Sequence, residues 1–305
     1  MAAGVIVPLD GSSLGEAVLP YAKRLAAALK TDVMLVQVVE PTAKELKQYA
    51  KGEKRPQLPE AGARAAQAYL DKAVGHFKGS GVAVSTKVLT GIPAVEIIGL
   101  GEKSRHAIIV MPTHGRSGIR RWLLGSVADK VIHYAVNPVL VMHPKAKGGP
   151  TGEARLSAVI VPLDGSPVAE QSLPQVIRLA RALDLRVTLL QVTPSLADFT
   201  KWNATYMSAP TTELAATAED LAKDAAKYLA GIASRLKTEG LRNIETSVLQ
   251  GDAATAILAA AEGSKGSFVA MTTRGRTGLT RTLLGSTADR VVRHGGTPVL
   301  LVRPK

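Results

Sequence analysis

The sequence predicts two tandem α/β domains, each built on a doubly wound parallel sheet of five strands. Three observations carry this: one pattern of residues occurs twice, apolar runs are near-continuous in Val, Ile and Leu, and those runs alternate with stretches of helical spacing. Near-continuous apolar strands belong to sheets covered on both faces. Alternation with helices makes such a sheet parallel.

The repeat sets the domain count. Val5 to Ser12 reads VIVPLDGS and recurs unchanged as Val159 to Ser166, and Met111 to Ser126 (MPTHGRSGIRRWLLGS) parallels Met271 to Ser286 (MTTRGRTGLTRTLLGS). Each copy continues through Ala-Asp and a base, Lys130 or Arg290, to Pro-Val-Leu at Pro138 or Pro298. The unit is about 150 residues, the size of a domain and not of a solenoid repeat. Between the copies, Pro144 to Gly152 is rich in Gly, Pro and Lys and suits a linker. Domains over 1–145 and 155–305, joined by 146–154, follow.

In the first half, Gly4 to Leu9 reads as a strand and Leu14 to Leu29 as a helix with apolar residues near helical spacing. Asp32 to Val39 is the second strand. A polar, lysine-rich insertion precedes a helix from about Glu60 to Lys78 and a strand at Val82 to Leu89. A short helix around Ala94 to Glu102, a strand at Ala107 to Met111, a helix at Ser126 to Tyr134 and a strand at Val139 to Met142 complete the half.

Composition narrows the chemistry. Hydrophobic residues are 46% and charged residues 21% of the 305, as in soluble globular proteins. No apolar run approaches the roughly 20 residues of a membrane span, and the N-terminus lacks the basic start and long apolar core of a secretory signal. A cytoplasmic location is expected. The absence of cysteine excludes disulfides, thiolate catalysis and cysteine-based metal sites. The six histidines form no HxxxH or HExxH pattern, so His114 reads as a surface or loop residue and no metal site is expected. A net charge of +13 favours anionic partners, while aromatics at 4% and the lack of a recognition motif speak against nucleic acid.

In open parallel sheets ligands bind beyond the carboxyl ends of the strands, where strand order reverses. That selects Pro8 to Gly11, which puts a carboxylate on a tight turn, and the loop from Met111 carrying Gly115, Gly118, Gly125 and Ser126. Glycines let a phosphate approach the backbone, and a helix N-terminus attracts anions. Ser126 precedes Asp129, and Ser286 precedes Asp289, at the spacing of a capping box. A phosphate would take bonds from the N–H groups of Gly125, Ser126 and Val127 and the Ser126 hydroxyl, with Arg116, Arg120 and Arg121 adding charge. The competing reading makes the glycines turn residues and Ser126 only a cap.

The first-strand Pro-x-Asp-Gly-Ser, the Gly-x9-Gly-Ser spacing of Gly115 to Ser126 and of Gly275 to Ser286, and the last Pro-Val-Leu strand resemble the universal stress protein family, across nearly all of both halves. The resemblance implies a Rossmann-like fold of the adenine nucleotide α-hydrolase type and binding of ATP, with Mg²⁺ as a possible bridge. Carried over by position, the ligand contacts are Pro8, Asp10, Val38, Met111, Gly115, Gly125, Ser126 and Val127 in the first half. In the second they are Pro162, Asp164, Val192, Met271, Thr272, Gly275, Gly285, Ser286 and Thr287. Asp10 and Asp164 would accept from ribose hydroxyls or help hold a metal, and the backbones of Val38 and Val192 would meet the adenine. Where the family motif has its first glycine this chain has Pro112 and Thr272. Proline offers no N–H, so the second half is expected to bind more tightly.

Enzymatic readings fare less well. Gly11-Ser-Ser-Leu-Gly15 matches the nucleophile elbow GxSxG, but its counterpart from Gly165 to Ala169 loses both the serine and the last glycine. No P-loop and no dinucleotide fingerprint occurs. A non-enzymatic nucleotide-binding stress protein is expected, with at most slow ATP hydrolysis. The alternative is a nucleotide-independent module acting through protein partners. The apolar last strands suggest pseudo-twofold pairing of the halves, and the resemblance makes a homodimer plausible.

Overall fold

The computed structural model describes residues 3–41, 60–114, 124–143, 154–206, 210–275 and 284–305, with backbone only for 202–206. The lysine-rich insertion from residue 42 on, the linker up to residue 153, Gly115, Gly118, Gly278 and the arginines at 116, 120 and 121 lie outside them. Two compact units divide at Met1–Arg155 and Leu156–Lys305.

The first unit runs β1 (Val5–Pro8), α1 (Ser13–Glu16), α2 (Leu19–Leu29), β2 (Val33–Val39), α3 (Glu60–Val74), β3 (Val84–Thr90), α4 (Pro93–Lys103), β4 (Ile108–Pro112), α5 (Ser126–Tyr134) and β5 (Val139–Met142). The second repeats the plan with β6 (Ala158–Pro162), α6 (Pro167–Glu170), α7 (Leu173–Leu183), β7 (Arg186–Thr193), α8 (Leu196–Tyr206), α9 (Thr211–Thr238), β8 (Ile244–Gln250), α10 (Ala253–Gly263), β9 (Ser267–Thr272), α11 (Ser286–His294) and β10 (Val299–Val302). Among the described residues no helix is long and apolar enough to cross a membrane.

Both sheets are parallel. Their strand orders are β3-β2-β1-β4-β5 and β8-β7-β6-β9-β10. Every residue of β4, β5 and β9 is buried, as helices on both faces require, whereas edge strand β3 has no buried residue and exposes Ser85 and Lys87. Largely hidden, Val5, Leu35, Ile109 and Val131 belong to the first core and Val159, Leu189, Val269 and Val291 to the second.

Two expected helices differ in their details. The stretch from Leu14 to Leu29 breaks into α1 and α2 around Ala17 and Val18, because Pro20 has no N–H to continue a ladder and instead enters the first turn of α2. The helix expected to reach Lys78 ends at Val74, and a single 3₁₀ turn, Gly75–Phe77, follows. Glycine at 75 weakens the last α-helical turn, and Phe77 then turns inward to a buried position.

Candidate functional site

Strand order reverses between β1 and β4, and again between β6 and β9. Only Val5 and Ile6 of β1 are in register with β4, and Ala158 to Ile160 of β6 with β9, so each pair diverges toward its carboxyl end and opens a crevice. The first is a cleft of about 560 Å³ and the second one of about 180 Å³.

A shared turn builds the near wall. Gly11 and Gly165 have φ of 84° and 82°, a left-handed conformation that other residues resist. Beside it, Asp10 Oδ1 accepts from the Ser12 N–H at 3.0 Å and the Ser12 hydroxyl at 2.6 Å, while Ser12 Oγ accepts from the Gly15 N–H at 3.0 Å and so caps α1. Asp164, Ser166 and Ala169 repeat the arrangement at 3.0, 2.6 and 3.1 Å. These serines hold the carboxylates in place with their own protons committed. The central serine of the elbow-like match, Ser13, is an exposed first residue of α1. Ser166→Ala is expected to cost about 0.5–2 kcal/mol, the usual worth of a helix cap, measured by urea denaturation.

The far wall is the start of α5 or α11, and here two expectations are corrected. The cap residue of α5 is Gly125, without a side-chain cap bond, and Ser126 is already the first helical residue; Gly285 and Ser286 do likewise. Ser126 is therefore not the capping-box residue that its spacing suggests. Its side chain is exposed at the cleft. Nor can the Gly125 N–H serve a phosphate, because it donates to Thr113 O at 2.8 Å, as the Gly285 N–H does to Thr273 O at 2.8 Å. A Cβ on Gly125 would stand 2.9 Å from Thr113 O, so glycine here lets the helix start close on the end of β4. The donors left at the helix start are the N–H groups of Ser126, Val127 and Ala128 and the Ser126 hydroxyl.

Positions 112 and 272 can be placed by alternation. The N–H groups of Ile109 and Thr113 bond Pro138 O and Met142 O on the β5 side, while Ile108 N–H bonds Gly4 O toward β1. The nitrogen of Pro112 therefore faces the crevice. The same alternation, Val269 to Pro298 O and Thr273 to Val302 O, turns the Thr272 N–H toward the second crevice.

Of the residues singled out from sequence, Pro8, Asp10, Val38, Met111, Gly125, Ser126 and Val127 line the first cleft. Pro162, Asp164, Val192, Met271, Thr272, Gly275, Gly285, Ser286 and Thr287 line the second. Gly275 touches the acidic wall: a Cβ there would come 2.6 Å from Asp164 Oδ2. The cleft volumes run against the order expected from Pro112 alone, since the first is the roomier.

Sequence reasoning missed several lining residues. Pro93 and Ile97 of α4, and Ala253 and Ile257 of α10, close one side, signalled only by a glycine ending the preceding strand. Gln37 is a polar residue inside the apolar run of β2. It lines the first cleft, is 8% exposed, and its Oε1 has no hydrogen-bond partner among the described residues. Beside that cleft, Thr113 Oγ1 lies 2.9 Å from His143 Nδ1 and 3.1 Å from His114 Nδ1, so His114 stands half-buried just past β4. Among the described residues no group of three His, Asp or Glu could hold a metal.

One ion pair distinguishes the second site. Asp252 caps α10, accepting from the Thr255 N–H and hydroxyl at 3.0 and 2.6 Å, and Arg290 of α11 donates to its other oxygen at 2.7 Å. The Arg290 bond, then those from Thr255, hold the Asp252 carboxyl well below the usual carboxylate range.

Comparison with known proteins agrees with this architecture. The model of the universal stress protein family matches twice, over residues 1–143 and 156–303. A universal stress protein of Mycolicibacterium smegmatis is 26% identical over 304 residues, covering 99% of this chain and 97% of its own. The protein MJ0531 of Methanocaldococcus jannaschii is 33% identical over 143 residues, 47% of this chain and 83% of its own. In fold, a universal stress protein from Archaeoglobus fulgidus superposes with a TM-score of 0.68 at 20% identity, over 98% of this chain and 97% of that one. With one family match per half and a relative aligned end to end, the chain belongs to the universal stress protein family, as a tandem two-domain member.

Proposed function

We propose that the chain is a non-enzymatic binding protein for adenine nucleotides, with a ligand site in each crevice and ATP in the first. The observation that carries the reading is the first cleft: about 560 Å³, at the strand-order reversal, between a fixed carboxylate and a helix start. That volume falls within the roughly 300–1,000 Å³ of small-molecule sites.

The residues fit such a ligand. Val38, Ile97 and Met111 offer an apolar wall for a base, and the buried Gln37 carboxamide, with its unmatched Oε1, offers polar recognition there. Asp10, oriented by Ser12, suits ribose hydroxyls. Phosphates belong at the opposite wall, on the N–H groups and hydroxyl at the start of α5. A magnesium ion brought in with ATP would neutralise phosphate charge, and Asp10 and Glu40 are the carboxylates that line the cleft. Because the nitrogen at 112 faces the crevice, Pro112 withholds one donor; a cleft too narrow for the ligand is the larger obstacle, which ranks the first site above the second.

Titration calorimetry with ATP, in Mg²⁺ and in EDTA, tests the proposal. Binding to at least one site per chain is expected, with a rise in melting temperature at saturating ligand. No heat and no thermal shift at millimolar ATP would leave the second reading, a nucleotide-independent interaction module, for which the exposed Ile92 and Val95 beside the first cleft speak.

A further inference from the structure

We propose that Asp252 makes the second cleft select adenine ligands carrying at most one phosphate over polyphosphates, by occupying Arg290 at the cleft rim. The inference rests on the nucleotide reading above and concerns which ligand class each crevice takes.

The two halves differ here in charge. Asp252 directly precedes Ala253, which lines the second cleft, and Arg290 lies one helical turn beyond Ser286, which also lines it. Their 2.7 Å ion pair thus links the two helix starts that form the cleft, with both side chains half exposed. In the first half the same positions hold Ile92 and Lys130. Ile92 brings no charge, and among the described residues Lys130 makes no ion pair. A cation one turn into α5 is therefore available to an anionic ligand, whereas its counterpart on α11 is engaged.

The consequence for a ligand follows from counting charges. Arg274 in the second cleft wall and the N–H groups at the start of α11 suit one phosphate. Each further phosphate adds negative charge near Asp252 and must compete with it for Arg290. The smaller volume, about 180 Å³ against 560 Å³, acts in the same direction.

The test uses Asp252→Asn, since asparagine caps a helix about as well as aspartate while removing the charge and the oxygen that holds Arg290. It is made in the full chain carrying Ser126→Glu, which disfavours phosphates in the first cleft, and titrated with AMP and ATP. The parent is expected to bind AMP more tightly than ATP. Asp252→Asn should tighten ATP by about threefold or more while leaving AMP within about twofold, and the gain should shrink in high salt, as for an exposed charge pair. The inference is overturned if ATP outbinds AMP before the substitution, if ATP and AMP shift equally or not at all, or if this chain binds neither nucleotide while the wild type does. If the wild type binds none either, the nucleotide reading itself falls and takes this inference with it.

Discussion

Ser126→Glu is expected to remove most of the chain's ATP binding, and Ser286→Glu to remove little. Ser126 is the exposed first residue of α5 and lines the larger cleft, so a glutamate there sets a carboxylate where the phosphates belong. Folding should not suffer, because a negative charge at a helix N-terminus is favourable. Two like unit charges about 4 Å apart repel by about 4 kcal/mol at an effective dielectric of 20. Screening at an exposed position takes away much of that, and a loss of at least about tenfold remains for a triphosphate, at 1.4 kcal/mol per decade. Calorimetry on the two variants reads it. The opposite outcome, with Ser286→Glu abolishing the tight site, would mean that the donor missing at Pro112 outweighs cleft volume. A lost bond to a charged group is worth about 1.5–3 kcal/mol, enough to reverse the order if the narrower cleft opens at little cost.

The strands of this protein were legible because burial on both faces leaves an apolar run that no surface helix shares. Val5 to Val7, Ile108 to Met111 and Val139 to Met142 show it. The crevices followed from the order of elements, and the family motif then located their lining from Pro8 to Val127. What the sequence concealed lies in hydrogen bonds that compete for the same donor. Ser126 with Asp129 has the spacing of a capping box, yet the cap residue is Gly125, one position earlier, and its N–H donates to Thr113 O. Gln37 interrupts an apolar run, but only the assembled cleft shows its carboxamide to be buried. The Asp252–Arg290 pair joins residues 38 apart in sequence, and no local pattern announces it.

Ile109→Ala is expected to be the most damaging of the conservative truncations near the first cleft, while Val95→Ala should be close to neutral. Ile109 is fully buried in β4, paired with Val139 of β5 on one side and with Ile6 of β1 on the other, directly beneath the point where β1 and β4 part. Removing its branched side chain loses buried apolar area and leaves a cavity that sheet neighbours on both sides cannot collapse to fill, a cost of about 2–5 kcal/mol. Val95, also β-branched and beside the same cleft, is 59% exposed on α4, where the buried positions are Ala94, Ile97, Leu100 and Gly101. Shortening it creates no cavity, and alanine is the better helix former by a few tenths of a kcal/mol, so a change within about 0.5 kcal/mol, or a slight gain, is expected. Urea denaturation of both variants checks the pair. Equal losses would show that the apolar surface around Val95 is covered in solution.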